Sequence, residues 1–408
     1  MSGPGAAAAD NSIRVRMYRV GFGDCFLLSF PGRQHILVDC GVHARGDIGT
    51  LDDVLTDVAT VTGRRLAAIV VSHAHEDHIA GFLRGEEEFR RFQIGGIWLP
   101  WTENPDDALA RALGRRQAAL YETLVAHFAA RPPAGEVEAV LANAAARGRN
   151  TRALDNLRGG FGTGARVRYL QRGDRLEDAE GVGGLSVRFL GPPRDEAFLR
   201  KMDPPKAERY LRLGADGRPR WVDALEPFGP DAGRGPGQGG PALSERQRRA
   251  LRRAVELSPE ALAFALDQAL NNTSVVCLFS YRGRSLLFPG DAQFGNWKAW
   301  LDDDGAAELL RGVHFYKVAH HGSENATPRS ALEAMTTGGF AAMLSTQGHP
   351  WPSIPYGKLL DALERQTNHQ VIRSDTLRLP GAPLGPELAQ LPQGFQRGSF
   401  WIDYRLPL

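Results

Sequence analysis

The chain has 408 residues, enough to bury a large core. Lys+Arg 49 against Asp+Glu 47 leaves a formal net charge of +2, so only a local basic cluster could argue for nucleic acid. Cys25, Cys40 and Cys277 lie far apart with no CxxC pair, which excludes a disulfide framework and fits a reducing cytoplasm.

Residues 1–12 are small and Ala-rich, without a basic leader or an apolar run. They read as a disordered tail rather than a signal peptide. No uninterrupted apolar stretch is long enough to cross a bilayer, so a soluble, cytoplasmic protein with no membrane partner is expected. Residues 13–408 are expected to form a single domain.

Ile13–Val20 and Asp24–Phe30 read as strands joined by the turn Gly21-Phe22-Gly23, and His35–Asp39 as a third that ends at Cys40-Gly41. Leu51–Val61 has helical spacing, while Leu66–Val71 and Ile94–Leu99 read as strands. Helical composition takes over in Asp106–Ala130 and Glu136–Arg147. Strands return at Ala165–Leu170 and Leu185–Leu190. An irregular region follows, with Gly229–Pro241 as its most linker-like stretch and Ser244–Leu257 as an Arg-rich helical run. The remainder reads as a hairpin, Ser274–Ser280 and Ser285–Phe288, then the strands Val313–Val318 and Ala341–Ser345, a helix over Tyr356–Gln366 and a last strand, Ser399–Tyr404. Two strand-rich halves with helices between strands predict an αββα sandwich with insertions at about 104–160 and 194–270.

The strongest chemical signal is Ser72-His73-Ala74-His75-Glu76-Asp77-His78, delivered to a sheet edge by an apolar strand. His73 and His75, two apart in an extended loop, project the same way. Asp77 and His78 start the next helix and can turn toward the same point. Imidazole with carboxylate suits zinc, iron or manganese. A merely solvated loop is a poor account of three histidines in six residues, from a chain with His 11. Asp39 and Asp291 each end a strand; taken alone, either could be only a turn or a helix cap. His320-His321-Gly322-Ser323 follows another strand and again looks like a loop aimed into a site. Lys317 and Ser323 flank it and could contact a phosphate, although a lysine at a strand end is more often solvated. Cys40 reads as a small core residue.

Taken in order, these elements resemble the metallo-β-lactamase superfamily. More narrowly, they resemble the hydrolase domain of the ComEC type, found on bacterial DNA-uptake channels and in free-standing relatives. The matching segments are Val20–Asp24, Ile36–Gly41, Ser72–His78, Asn271–Ser274, Pro289–Asp291, Val318–Ser323 and Gly348–Pro350. The resemblance implies His73 and His75 on a first metal, Asp77 and His78 on a second, and Asp291 bridging them. One of His320 and His321 would complete the second metal, and His320, which leaves the strand first, is the expected one. Asp39 would orient a ligating histidine from behind. Many members carry a further histidine ligand where this chain has Asn271-Asn272-Thr273-Ser274. Asn272 would therefore be a weak ligand and the first metal loosely held. His349 corresponds to a late histidine that could face the reacting group, or be a plain surface residue.

Such a centre, expected to hold two Zn2+ with Mn2+ as the alternative, serves hydrolysis without naming the substrate. Asp77, His349 and Lys317 are the expected catalytic residues. The first expectation is a phosphodiesterase or nuclease, with nucleic acid as partner and Arg246–Arg253 tracking a backbone, unless that cluster is only a solvated helix face. The second is a small-molecule hydrolase acting on a lactone, ester or phosphoester under a helical lid. The third is a binding or scaffold protein with a decayed site. Gly229–Pro241 could tether covering segments that gate the site.

Overall fold

The structure is a computed structural model describing residues 11–45, 48–129, 147–201, 205, 269–348, 351, 353–375 and 391–408. In chain order the described strands begin with β1 (Ser12–Tyr18), β2 (Gly21–Phe22), β3 (Cys25–Phe30), β4 (Gln34–Cys40) and β5 (Ala44–Arg45). Next come β6 (Arg65–Val70), β7 (Gln93–Pro100), β8 (Arg166–Leu170), β9 (Arg175–Leu176) and β10 (Leu185–Gly191). The last are β11 (Val276–Tyr281), β12 (Arg284–Phe288), β13 (Phe315–Lys317), β14 (Ala341–Leu344), β15 (Val371–Arg373), β16 (Phe395–Arg397) and β17 (Trp401–Pro407).

They form an eight-stranded sheet, β16-β17-β1-β3-β4-β6-β7-β8, and a seven-stranded sheet, β15-β14-β13-β12-β11-β10-β9. A small ladder pairs β2 with β5. β17 runs antiparallel along β1, so the end of the chain completes the sheet that its start begins.

The sheets pack face to face. Val15, Phe26, Val38, Val70 and Trp98 of the first meet Phe189, Phe279, Phe288, Phe315 and Met343 of the second. Phe26 and Phe288 touch edge to face at 5.6 Å, the geometry ring quadrupoles favour. The other face of the first sheet is covered by the helices Leu51–Thr62, Glu76–Arg84 and Arg147–Arg158. That of the second is covered by Phe294–Leu301, Ala306–Arg311, Arg329–Ala334 and Gly357–Gln366. The layers are therefore helix, sheet, sheet, helix, as expected. β4, between antiparallel β3 and parallel β6, is buried along almost its whole length, because a central strand with two covered faces has no solvent side.

Local chemistry sets several boundaries. Thr50 and Asp53 form a reciprocal capping box at the start of Leu51–Thr62, and Gly63, at φ 60, closes it in a left-handed cap. Gly21-Phe22 proves to be a short strand rather than part of a turn, because Ala44–Arg45 reaches back to pair with it. Neither Phe294–Leu301 nor Arg147–Arg158 was expected as a helix. The first is short, aromatic and interrupted by Gly295, where a side chain would collide with the Phe198 carbonyl. The second is so polar that its packing face is carried by only Ala153, Leu154 and Leu157. Gly229–Pro241, Arg246–Arg253 and all of Glu136–Arg147 except Arg147 lie outside the described residues.

Candidate metal centre

The candidate residues converge from loops at the carboxyl ends of parallel strands. β4 runs parallel to β6, and β12 to β13. Asp39 lies at the end of β4, His73–His78 follow β6, Asp291 follows β12, and His320 and His321 follow β13. Such strand ends are where α/β sheets leave a crevice. Two glycines let the loops close. A side chain on Gly41 would run into the Asp77–His78 peptide, and one on Gly290 would lie 2.5 Å from Ser72 Cβ.

Asp77, His78, Asp291 and His321, all buried, bring one donor atom each to within 4.8 Å of one another. His321 Nε2 lies 3.0 Å from Asp77 Oδ2 and 3.3 Å from Asp291 Oδ2. His78 Nε2 lies 3.2 Å from Asp291 Oδ2 and 3.6 Å from Asp77 Oδ2. Their far nitrogens fix the rings. His321 Nδ1 donates to the Ser345 carbonyl at 2.8 Å, and His78 Nδ1 to Asp39 Oδ2 at 2.9 Å. A carbonyl only accepts, so His321 must carry its proton on Nδ1 and present Nε2 to the cluster. Asp39 also accepts from Ser72 N–H at 2.7 Å and from Ser72 Oγ–H at 2.7 Å, which ties the histidine loop to β4.

His73 and His75 form a separate pair, with His73 Nε2 2.9 Å from His75 Nδ1. Ser72 Oγ gives its proton to Asp39, so at 3.1 Å it can only accept from His73 Nδ1.

Charge divides the two groups. Burial opposes ionisation of Asp77, but His78 and His321 override it and hold the carboxyl well below its usual range. The same opposition, with Lys317 added, holds Asp291 low. Burial would lower His321, yet Asp291 and Asp24 push it up to about 10, and Asp291 with Asp77 likewise raises His78. Burial, together with His78 and His75, holds His73 well below its ordinary value. The group thus gathers four buried carboxylates, Asp24, Asp39, Asp77 and Asp291, around one lysine. Without metal, protons on His78 and His321 supply part of the balancing positive charge. A divalent cation would supply it through the same nitrogens and oxygens, so the donor set fits a divalent metal ion.

The structure departs from the sequence reading at four places. His321, rather than His320, joins Asp77, His78 and Asp291. Both take left-handed backbone angles, φ 44 and 51, in a tight turn that directs His320 to Asn271 instead, 3.2 Å away. Asn272 is not placed to be a ligand. Its amide oxygen accepts from the N–H groups of Gln293 (3.0 Å) and Asn296 (3.3 Å), and its nitrogen donates to the carbonyls of Leu199 (3.3 Å) and Lys201 (2.9 Å). Lys317 is buried between Asp24 and Asp291, and its charged form is favoured despite burial, so it is no ready base or surface phosphate contact. Ser323 donates to Asn325 Oδ1 at 2.8 Å. His349 lies outside the described residues.

Asp24 had no role in the sequence reading. It is fully buried against Lys317, and its N–H donates to the Asp77 carbonyl at 2.8 Å. Its signals were its place after two closely spaced glycines, Gly21 and Gly23, and its inclusion in the matching segment Val20–Asp24. A second grouping of possible donors, Asp24, Asp39 and His78, lies on the rear side of the His78 ring.

Residues 18–132 match the metallo-beta-lactamase superfamily family model. The match covers Asp24, Asp39 and the whole of Ser72–His78, while Asp291, His320 and His321 lie beyond it. The two-sheet architecture is consistent with a metallo-beta-lactamase α/β sandwich, and the match supports a metal-dependent hydrolase in general. No curated protein matches the chain. Among the described residues, no helix is long and apolar enough to cross a membrane.

Proposed function

We propose that this protein is a zinc-dependent phosphodiesterase acting on nucleic acid in the cytoplasm. Asp77, His78, Asp291 and His321 would hold one ion, and His73 with His75 would hold a second, weaker one. Bound there, zinc supplies Lewis acidity and a hydroxide at neutral pH. The chain's own residues do the rest. Asp39 and Ser345 fix the histidine rings, Asp24 and Lys317 balance the buried charge, and burial of the cluster keeps bulk water out. His320, half-buried and outside the group of four, would face the substrate in this reading.

The observation that carries the phosphodiester reading is the helix Arg147–Arg158 (RGRNTRALDNLR), which packs directly on the histidine loop. Its Asn150 donates to the Ala74 carbonyl at 3.2 Å, and Arg149 reaches Glu76 Oε1 at 2.8 Å. Arg152, exposed one turn from Arg149, adds positive charge beside the loop, suited to a phosphate backbone. The test is a panel of single- and double-stranded DNA, RNA, a chromogenic phosphodiester, a lactone and a carboxylic ester, with zinc or manganese. Cleavage of a nucleic acid or the chromogenic diester, weakened by Arg152→Ala, is expected. Turnover of the lactone or ester alone would make this a small-molecule hydrolase.

A further inference from the structure

The fold treats the two oxygens of Asp291 differently. Oδ2 faces His78 Nε2 at 3.2 Å and His321 Nε2 at 3.3 Å, on the metal side. Oδ1 faces Lys317 Nζ at 3.3 Å. That ammonium also donates to the Gly290 carbonyl at 3.0 Å, and it contacts the Asp24 carboxylate. Lys317 is 2% exposed and Asp24 0%, so neither ion can exchange its partner for water. Asp24 is anchored in turn through its backbone. Its N–H bonds the Asp77 carbonyl, and its own carbonyl accepts from Gly41 N–H at 3.0 Å.

We propose that Asp24 and Lys317 form a built-in counter-ion that reserves one oxygen of Asp291 for the protein, so that Asp291 offers the metal a single oxygen and does not join two ions through both. The proposal rests on the metal-centre reading above. An ammonium is a compact point charge with three donors, and here all three have acceptors. A divalent ion approaching Oδ1 would meet that fixed charge in a medium that screens it poorly. Lys317 is therefore a positioning residue that acts through Asp291. The superfamily-like ligand set can then bind one ion firmly while a second depends on His73 and His75.

The test is zinc binding measured against a competing chelator, with bound metal counted by mass spectrometry. Asp24→Asn combined with Lys317→Gln removes both charges at once and leaves no lone buried ion. Wild type should bind one zinc tightly and a second at least about tenfold more weakly, and the double variant should narrow that gap about tenfold or more. Lys317→Arg, which keeps the charge, should leave the gap in place. Two equally tight ions in wild type, or an unchanged gap in the double variant, would overturn the proposal. If the double variant does not fold, infrared difference spectra of zinc-loaded wild type decide, because a bridging-carboxylate signature contradicts the proposal and a monodentate one supports it. A wild type that binds no zinc sinks the metal-centre reading itself, a distinguishable outcome.

Discussion

His73 and His75 share their loop with Asp77 and His78, which Asp291 and His321 join from two other loops at the same depth, yet the two groups are electrostatic opposites. In the first, two rings face each other and His73 is driven neutral by burial and by its neighbours. In the second, carboxylates hold the rings charged despite equal burial. Residue type alone does not decide how a histidine is poised; the charge facing it does. The carboxylate-rich group should therefore hold a cation far more tightly. His321→Ala or Asp291→Ala is expected to lower hydrolysis by about 10³-fold or more, the scale of losing a preorganised charge at the reaction centre. His73→Ala should cost less, about 10–100-fold. Metal content and kcat, measured together, check this, and equal losses at both positions would break the contrast.

The support behind His78 gives the next effect. Asp39 spends one oxygen on Ser72 N–H and shares the other between Ser72 Oγ–H and His78 Nδ1–H. Asp39→Ala should weaken zinc binding about 10–100-fold, the usual cost of removing such a partner. Circular dichroism should show the fold intact. A variant with wild-type zinc affinity would mean that the ring is oriented by something else.

What was legible in the chain follows the range of the interactions. Ser72–His78 announced itself because its donors are adjacent in sequence, and the apolar β6 run before it fixes where the loop emerges. The strand-end positions of Asp39 and Asp291 were readable for the same local reason. The choice of His321 over His320 was not, because successive left-handed residues reverse the order in which side chains reach the site. Asn271-Asn272 read as a ligand position. Only the fold shows Asn272 occupied with Gln293, Asn296, Leu199 and Lys201, so that its role is to hold β11's approach in place. Asp24 stood in a matching segment, but its role was not readable because its partner, Lys317, comes from the other sheet.

The charge contrast also predicts a pH signature. His321 is raised from 6.5 to about 10, so its proton contributes stability that is fully present below about pH 6.5 and lost as pH rises through about 10. Asp77 and Asp291 are held low, so their contribution is present above the ordinary carboxylate value of 3.8 and is lost only as pH falls below it. Between pH 6.5 and 10 the carboxylates stay ionised and the histidine protons govern. Zinc bound as proposed would replace those protons. The Tm gain on adding zinc should therefore widen by a few degrees from pH 6.5 to 9.5. A gain that is flat or shrinking across that window contradicts the assignment.

The smallest expected effect sharpens the comparison from the weaker side. Asn150, on the helix Arg147–Arg158, donates to the Ala74 carbonyl, the peptide between His73 and His75. Among the described residues, Asn150 makes its side-chain hydrogen bond to the Ala74 carbonyl and not to Asp77, His78, Asp291 or His321, so its influence should fall on the histidine pair alone. A single half-buried hydrogen bond contributes about 0.5–1.5 kcal/mol net, which corresponds to at most about tenfold in an equilibrium. Asn150→Ala should therefore weaken the second zinc several-fold and leave the first unchanged, in the same chelator titration. Weakening of both ions alike would mean that the helix braces the whole loop rather than the His73–His75 peptide, and no change would show that the helix only covers it.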